Sequence, residues 1–114
     1  VGFCMAVKRR TLDDVGDFDE AAFGRGYGEE NDWCMRAAAA GWRHVLCDDA
    51  FVAHQGSASF GPLGLGPGGE AMQRLLARHP DYLERVRAFI ESDPLAPCRQ
   101  RVIDRLRERG VFQD

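Results

Sequence analysis

A chain of 114 residues, 45% of them hydrophobic, carries enough apolar side chain for one small domain with a modest core. Its net charge of −3 excludes a general nucleic-acid binder, and no stretch approaches the roughly 18 apolar residues of a membrane-spanning helix. Four cysteines, Cys4, Cys34, Cys47 and Cys98, fall in no C-x-x-C pair, which excludes a zinc knuckle or a thioredoxin-like motif and leaves them as small buried hydrophobes.

Charge is uneven along the chain. Residues 1–54 hold 10 acids and 6 bases, and residues 69–114 hold 8 acids and 9 bases, so neither half is extreme enough to name a partner. The opening run Val1-Gly2-Phe3-Cys4-Met5-Ala6-Val7 is β-branched and aromatic and is ended by Lys8-Arg9-Arg10, which predicts a buried strand. The run has no basic leader and no small-residue cleavage site. Starting at Val1 inside such a run predicts a chain cut from a longer one.

Thr11 is expected to cap a short helical turn over 12–15 that Gly16 closes. Residues 17–28 read as a loop with glycines at 24, 26 and 28. Glu29 to Ala40 reads as a helix that starts on acids, runs through an alanine block and stops at Gly41. Residues 42–54 then predict a strand pair or one bent strand, turning at Asp48-Asp49 and ending at His54. From Gln55 to Gly69, six of fifteen residues are glycine and two are proline, which predicts a mobile loop. Beyond it helices are expected over 70–78, 81–92 and 96–109, punctuated by Pro80, Pro94 and Pro97 and ended by Gly110. In the second of these, Tyr82, Val86, Phe89 and Ile90 share a face at helical spacing.

The informative stretch is 23–54. Glu29, Glu30 and Asp32 crowd three acids into four positions at a helix start, directly after a glycine-rich loop that contains Tyr27. Acids at a helix N-terminus ordinarily cap it and offset its dipole. That accounts for Asp32 and one glutamate. It does not account for three acids beside an aromatic-bearing glycine loop, so a functional reading stands next to the structural one. Asp32 and Arg36 lie four apart on one face and can pair, orienting the helix start.

Phe18-Asp19-Glu20, followed by Gly26-Tyr27-Gly28-Glu29-Glu30-Asn31-Asp32-Trp33-Cys34-Met35-Arg36 and later by Phe51-Val52-Ala53-His54, resembles the second-half motif of GT-A-fold glycosyltransferases. The nearest likeness is to the bacterial family 2 group that builds cell-surface polysaccharides. It covers residues 1–60, and His79-Pro80 and Asp93-Pro94-Leu95 are similar to a helical extension of some members. The resemblance implies an α/β fold. Residues 1–60 would be the acceptor-side part of a GT-A domain whose N-terminal nucleotide-binding half is absent, and 61–114 a flexible loop and helical extension.

It also implies a chemistry. A sugar would pass from a nucleotide-diphospho-sugar donor to a hydroxyl of a glycan or lipid-linked acceptor, with inversion, in surface polysaccharide or glycan synthesis. Inversion needs a general base for the attacking hydroxyl. By motif position Glu30 is the expected base and Glu29 the runner-up, which could instead hydrogen-bond the acceptor. Tyr27, Gly28 and Trp33 are the acceptor-binding candidates, Tyr27 ahead of Trp33 and Trp42 because those two have apolar flanks. Asp32 and Arg36 are expected to support the site. The diphosphate would need a divalent cation, Mg²⁺ or Mn²⁺. No D-x-D in the family's position occurs here: Asp17-Phe18-Asp19 has the letters but coincides with the "FDE" segment. His54, at a strand end, is the expected additional metal ligand or diphosphate contact. His44 and His79 carry no expected role.

The expected setting is cytoplasmic, peripheral at the inner face of the membrane. The partners are the donor and acceptor but no nucleic acid, with self-association through an exposed sheet face and membrane-surface contact as further expectations. The isolated segment should be inactive. Two readings from another class stay open: a non-catalytic module that binds a glycan or protein through the same loop, and an assembly element built on the arginine-rich helices after residue 69.

Overall fold

The computed structural model describes residues 4–24, 27–55 and 69–111 and divides the chain into two compact units, Val1–Leu83 and Glu84–Asp114. The first unit begins with α1 (Arg9–Val15), α2 (Glu20–Phe23) and α3 (Glu29–Ala39), continues with α4 (Gly69–Arg78), and includes the first turn of α5 (Tyr82–Ser92). The second holds the rest of α5 and α6 (Ala96–Glu108).

Among the described residues there is no strand, and the expected α/β architecture with a partial GT-A sheet is corrected to an all-helical one. Residues 4–8 and 42–55 are irregular apart from bends at Cys4 and Asp49, and positions 43–55 are exposed throughout. The physical reason is that apolar, β-branched side chains do not make a strand on their own. A strand's N–H and C=O groups need a partner backbone about 4.8 Å away. No described segment supplies one. Among the described residues the sheet face expected to drive self-association is therefore absent as well. The glycine-rich segment 56–68, expected to be mobile, lies outside the described residues, as do Arg25 and Gly26.

The helices follow local chemistry. α1 starts one turn earlier than Thr11 would set it. Lys8 is the N-cap, and the Thr11 N–H already donates 2.9 Å to the Lys8 carbonyl, so Thr11 is buried inside the helix instead of capping it. The straight-chain Arg9 and Arg10 are good helix formers, which favours the earlier start. Gly16 (φ 85°) ends α1 as expected. α2, four residues within the expected loop, is capped by Asp19, whose Oδ1 accepts from Ala22 N at 2.9 Å. α3 closes on a Schellman motif: Trp42 N–H reaches the Ala37 carbonyl at 2.9 Å, Gly41 N–H reaches Ala38 at 3.0 Å, and Gly41 takes the left-handed φ of 87°. α4, α5 and α6 fall within a residue of the expected spans, and α6 ends on a second Schellman motif through Gly110 and Val111.

The first unit packs α1, α2 and α4 against α3. Its core is thin: Phe23, Trp33, Ala37 and Leu75, joined by the buried polar side chains of Thr11 and Asp32. In the second unit no side chain of α5 or α6 is fully buried, and Val86, Phe89, Ile90 and Val102 are exposed.

Candidate functional site

The polar groups of the motif divide into those occupied by packing and those that are not. Arg36 spreads its guanidinium over three acceptors. Nε donates 2.9 Å to Asp32 Oδ2, Nη1 donates 2.7 Å to the Val15 carbonyl, and Nη2 donates 2.8 Å to the Asp17 carbonyl. Between these, the Trp33 indole N–H donates 2.8 Å to the Gly16 carbonyl, and its ring packs on Phe18 at a centroid distance of 5.8 Å. Carbonyls at a helix C-terminus lack intrahelical partners. Here α3 side chains satisfy them, so Trp33 and Arg36 fasten the end of α1 to α3.

Asp32 has no exposed side-chain surface. It accepts from Arg36, from His79 Nε2 at 2.8 Å and from Arg78 Nη1 at 3.4 Å. Burial alone would push this carboxyl up, but the donors from His79, Arg36 and Arg78 outweigh it and hold the group below the usual carboxylate range. An ionised carboxylate only accepts, so His79 Nε2 carries the proton. Arg78 also donates 2.8 Å to Asp19 Oδ2. The Ala22 backbone N–H and then Arg78 hold Asp19 low as well. One guanidinium thus joins the cap of α2 to the first turns of α3 from the end of α4.

His79 and Arg78 were not identified from the sequence because they lie 47 and 46 residues from Asp32. A signal did exist. A buried acid needs its lone pairs answered, and Arg36 alone cannot answer them all.

Gly28 is the N-cap of α3 with φ 106°, and a Cβ there would lie 2.9 Å from Phe23 Cδ1. Only glycine fits both constraints. Tyr27 precedes it, half-buried, also at positive φ (78°). The cap offers no side-chain acceptor, so Glu29, Glu30 and Asp32 in the first turn supply the negative charge that the helix dipole favours.

Glu29 and Glu30 are half-buried, and neither makes an ion pair or hydrogen bond among the described residues. Glu29 Oε2 is enclosed without a hydrogen-bond partner. Glu30 instead lines an open groove of about 1120 Å³, together with Asn31, Trp33 and Cys34 of α3, residues 4–8, and the irregular segment that includes Trp42, His44 and Phe51. Trp42 is held from α1: its indole N–H donates 2.7 Å to Asp14 Oδ2, and the Arg10 guanidinium sits 5.4 Å over its ring. His44 Nε2 donates 3.0 Å to the Cys34 carbonyl. Burial raises the Tyr82 phenol, and the nearby charges of Glu30 and Cys34 add to that. The groove therefore holds a half-buried carboxylate without an ion-pair partner among the described residues, in a wall that includes the half-buried Trp42.

The expected site residues separate accordingly. Glu30 and Trp33 meet at the groove. Glu29, Tyr27 and Gly28 lie at the same helix start without lining it, and Asp32 lies beneath it. His54 is exposed in irregular backbone, so the strand end that was to present it does not form. Among the described residues no three His, Cys, Asp or Glu side chains gather as a cation site. No described helix is long and apolar enough to cross a membrane.

Comparison with family models, with curated proteins and with solved structures returns no match.

Proposed function

We propose that this chain contributes the acceptor side of a family 2 glycosyltransferase. The observation that carries the reading is Glu30: of the acids in the resembling motif, it is the one that is half-buried, unpaired and turned to a groove, while Asp19 and Asp32 are consumed by packing. In the reaction, an acceptor hydroxyl oxygen attacks the anomeric carbon of a nucleotide-diphospho-sugar. The bond from that carbon to the diphosphate breaks, the nucleoside diphosphate leaves with the electron pair, and Glu30 takes the hydroxyl proton. Trp42, the partly exposed indole of the groove, would flank the acceptor. The donor goes with a cytoplasmic setting at the inner face of the membrane.

Glu30→Gln in the full-length protein should lower turnover by about 10²-fold or more with donor binding little changed. Near-normal turnover in that variant together with loss in Glu29→Gln would move the role to Glu29. A second reading, a non-catalytic assembly module, is favoured by the exposed apolar residues Phe51, Phe89 and Ile90. Protection of the full-length protein by nucleotide sugars separates the two, because a module has no need of a donor.

A further inference from the structure

We infer that His79 is a positioning residue for the Glu29–Glu30 carboxylates, an assignment that rests on the transferase reading above. The start of α3 is weakly fixed by its own sequence. Its N-cap is Gly28, with no capping side chain, and the preceding Gly24 and Tyr27 adopt positive φ. The Asp32 side chain in the first turn is held from within α3 by Arg36 at 2.9 Å and from elsewhere in the chain by Arg78 and His79. The Asp32 N–H closes that turn on the Gly28 carbonyl at 2.8 Å, and the Asp32 carboxylate beneath it is gripped by His79 at 2.8 Å.

His79 suits this task better than its neighbour Arg78. The arginine reaches Asp32 at 3.4 Å, shares itself with Asp19 and is 41% exposed, whereas the imidazole is short, planar and 16% exposed. Its backbone is anchored too. His79 N–H donates 2.8 Å to the carbonyl of Leu75, the most deeply buried apolar residue of the unit. Pro80 follows, and Tyr82 N–H returns 3.0 Å to the His79 carbonyl. The turn 79–82 therefore backs the motif at Asp32. A displacement of about 1 Å in a catalytic group can cost on the order of 10²-fold in rate, so this turn sets how well Glu30 is aimed.

The test uses the full-length protein and two readouts. One is hydrogen exchange at the Asp32 and Trp33 amides, with the Ala38 amide near the other end of α3 as reference. The other is nucleoside diphosphate release from a panel of UDP-, GDP- and dTDP-sugars, with a glycan and lipid-linked acceptor mixture present to take the sugar. Expected for His79→Ala is exchange at Asp32 and Trp33 faster by about tenfold or more relative to Ala38, with kcat down by about tenfold and the donor KM within about threefold. His79→Gln keeps an N–H donor and should recover both readouts to within about threefold of wild type. His79→Met keeps volume without the donor and should behave as His79→Ala, which covers the case in which the alanine variant does not fold. Uniformly faster exchange along α3 with kcat unchanged, or no recovery in a folded His79→Gln, overturns the assignment and leaves His79 a packing residue. If the wild type releases no nucleoside diphosphate, the transferase reading fails. The exchange readout then decides alone whether His79 fixes the start of α3, and unchanged exchange at Asp32 and Trp33 overturns it.

Discussion

The indole N–H of Trp33 donates 2.8 Å to the carbonyl of Gly16, seventeen residues earlier and just beyond the end of α1. That bond fills a carbonyl no helix can fill for itself. It also makes Trp33, 3% exposed, both a core ring and a clasp. Trp33→Phe keeps most of the ring and removes the donor, which should cost about 0.5–1.5 kcal/mol plus the repacking of a smaller side chain. Trp33→Ala should cost about 3–5 kcal/mol, because the core has few other large side chains to close the cavity. Urea unfolding midpoints measure both, and equal losses would show that the hydrogen bond, not the ring, is what holds α1 to α3.

Gly28 and Gly41 both sit at positive φ, yet they differ in what surrounds them. A Cβ at Gly28 meets the Phe23 ring at 2.9 Å, whereas at Gly41 nothing lies within 4 Å. Gly41→Ala should therefore carry backbone strain alone, about 1 kcal/mol. Gly28→Ala adds a clash with a ring that is itself 5% exposed and should cost about 2–4 kcal/mol. Thermal melts of the two variants rank them. A Gly41→Ala loss as large as that of Gly28→Ala would mean that Phe23 moves aside freely.

What could be read from the sequence was what is local. α3 announces itself by its acids, its alanine block and Gly41. The last three helices are marked by Pro80, Pro94, Pro97 and Gly110, and the Asp32–Arg36 pair is an i,i+4 contact. α2 escaped notice because four residues carry no periodicity, although Asp19 before Glu20-Ala21-Ala22 is a capping signal. The strands expected over 1–7 and 42–54 do not form at the described positions 4–7 and 42–54, for a different reason. β-propensity measures how a side chain fits a sheet that already exists, and pairing is a non-local event that composition cannot supply. At the site, the crowd of three acids was visible, and the local Asp32–Arg36 pair with it, but the partners that Asp32 finds outside its own helix were not. His79 and Arg78, which fill the remaining acceptor sites of Asp32, lie nearly fifty residues away in the chain.

Asp32 also predicts how the first unit responds to acid. Its carboxyl is held below the usual range in the folded chain, so the stability it contributes is present above the unfolded-state value near 3.9 and is lost as pH falls through the lower folded-state value. Asp19 shifts the same way through the Ala22 N–H and Arg78, so the two losses share a window. Stability should therefore be flat from pH 7 to about 5 and fall progressively below about 4. Asp32→Asn keeps the shape but gives up the charge that answers Arg36, Arg78 and His79. The amide also turns one acceptor into a donor facing donors. At pH 7 it should be less stable than wild type by about 2–4 kcal/mol, as when one member of a buried pair is removed. It should then lose less than wild type between pH 5 and pH 3, because the group that titrates is gone and only the Asp19 contribution remains in this network. Urea midpoints for both proteins at pH 7, 5, 4 and 3 test this. A parallel fall in the two curves would place the acid sensitivity outside the Asp32 network, and a variant as stable as wild type at pH 7 would show that His79 and the two arginines are satisfied without its charge.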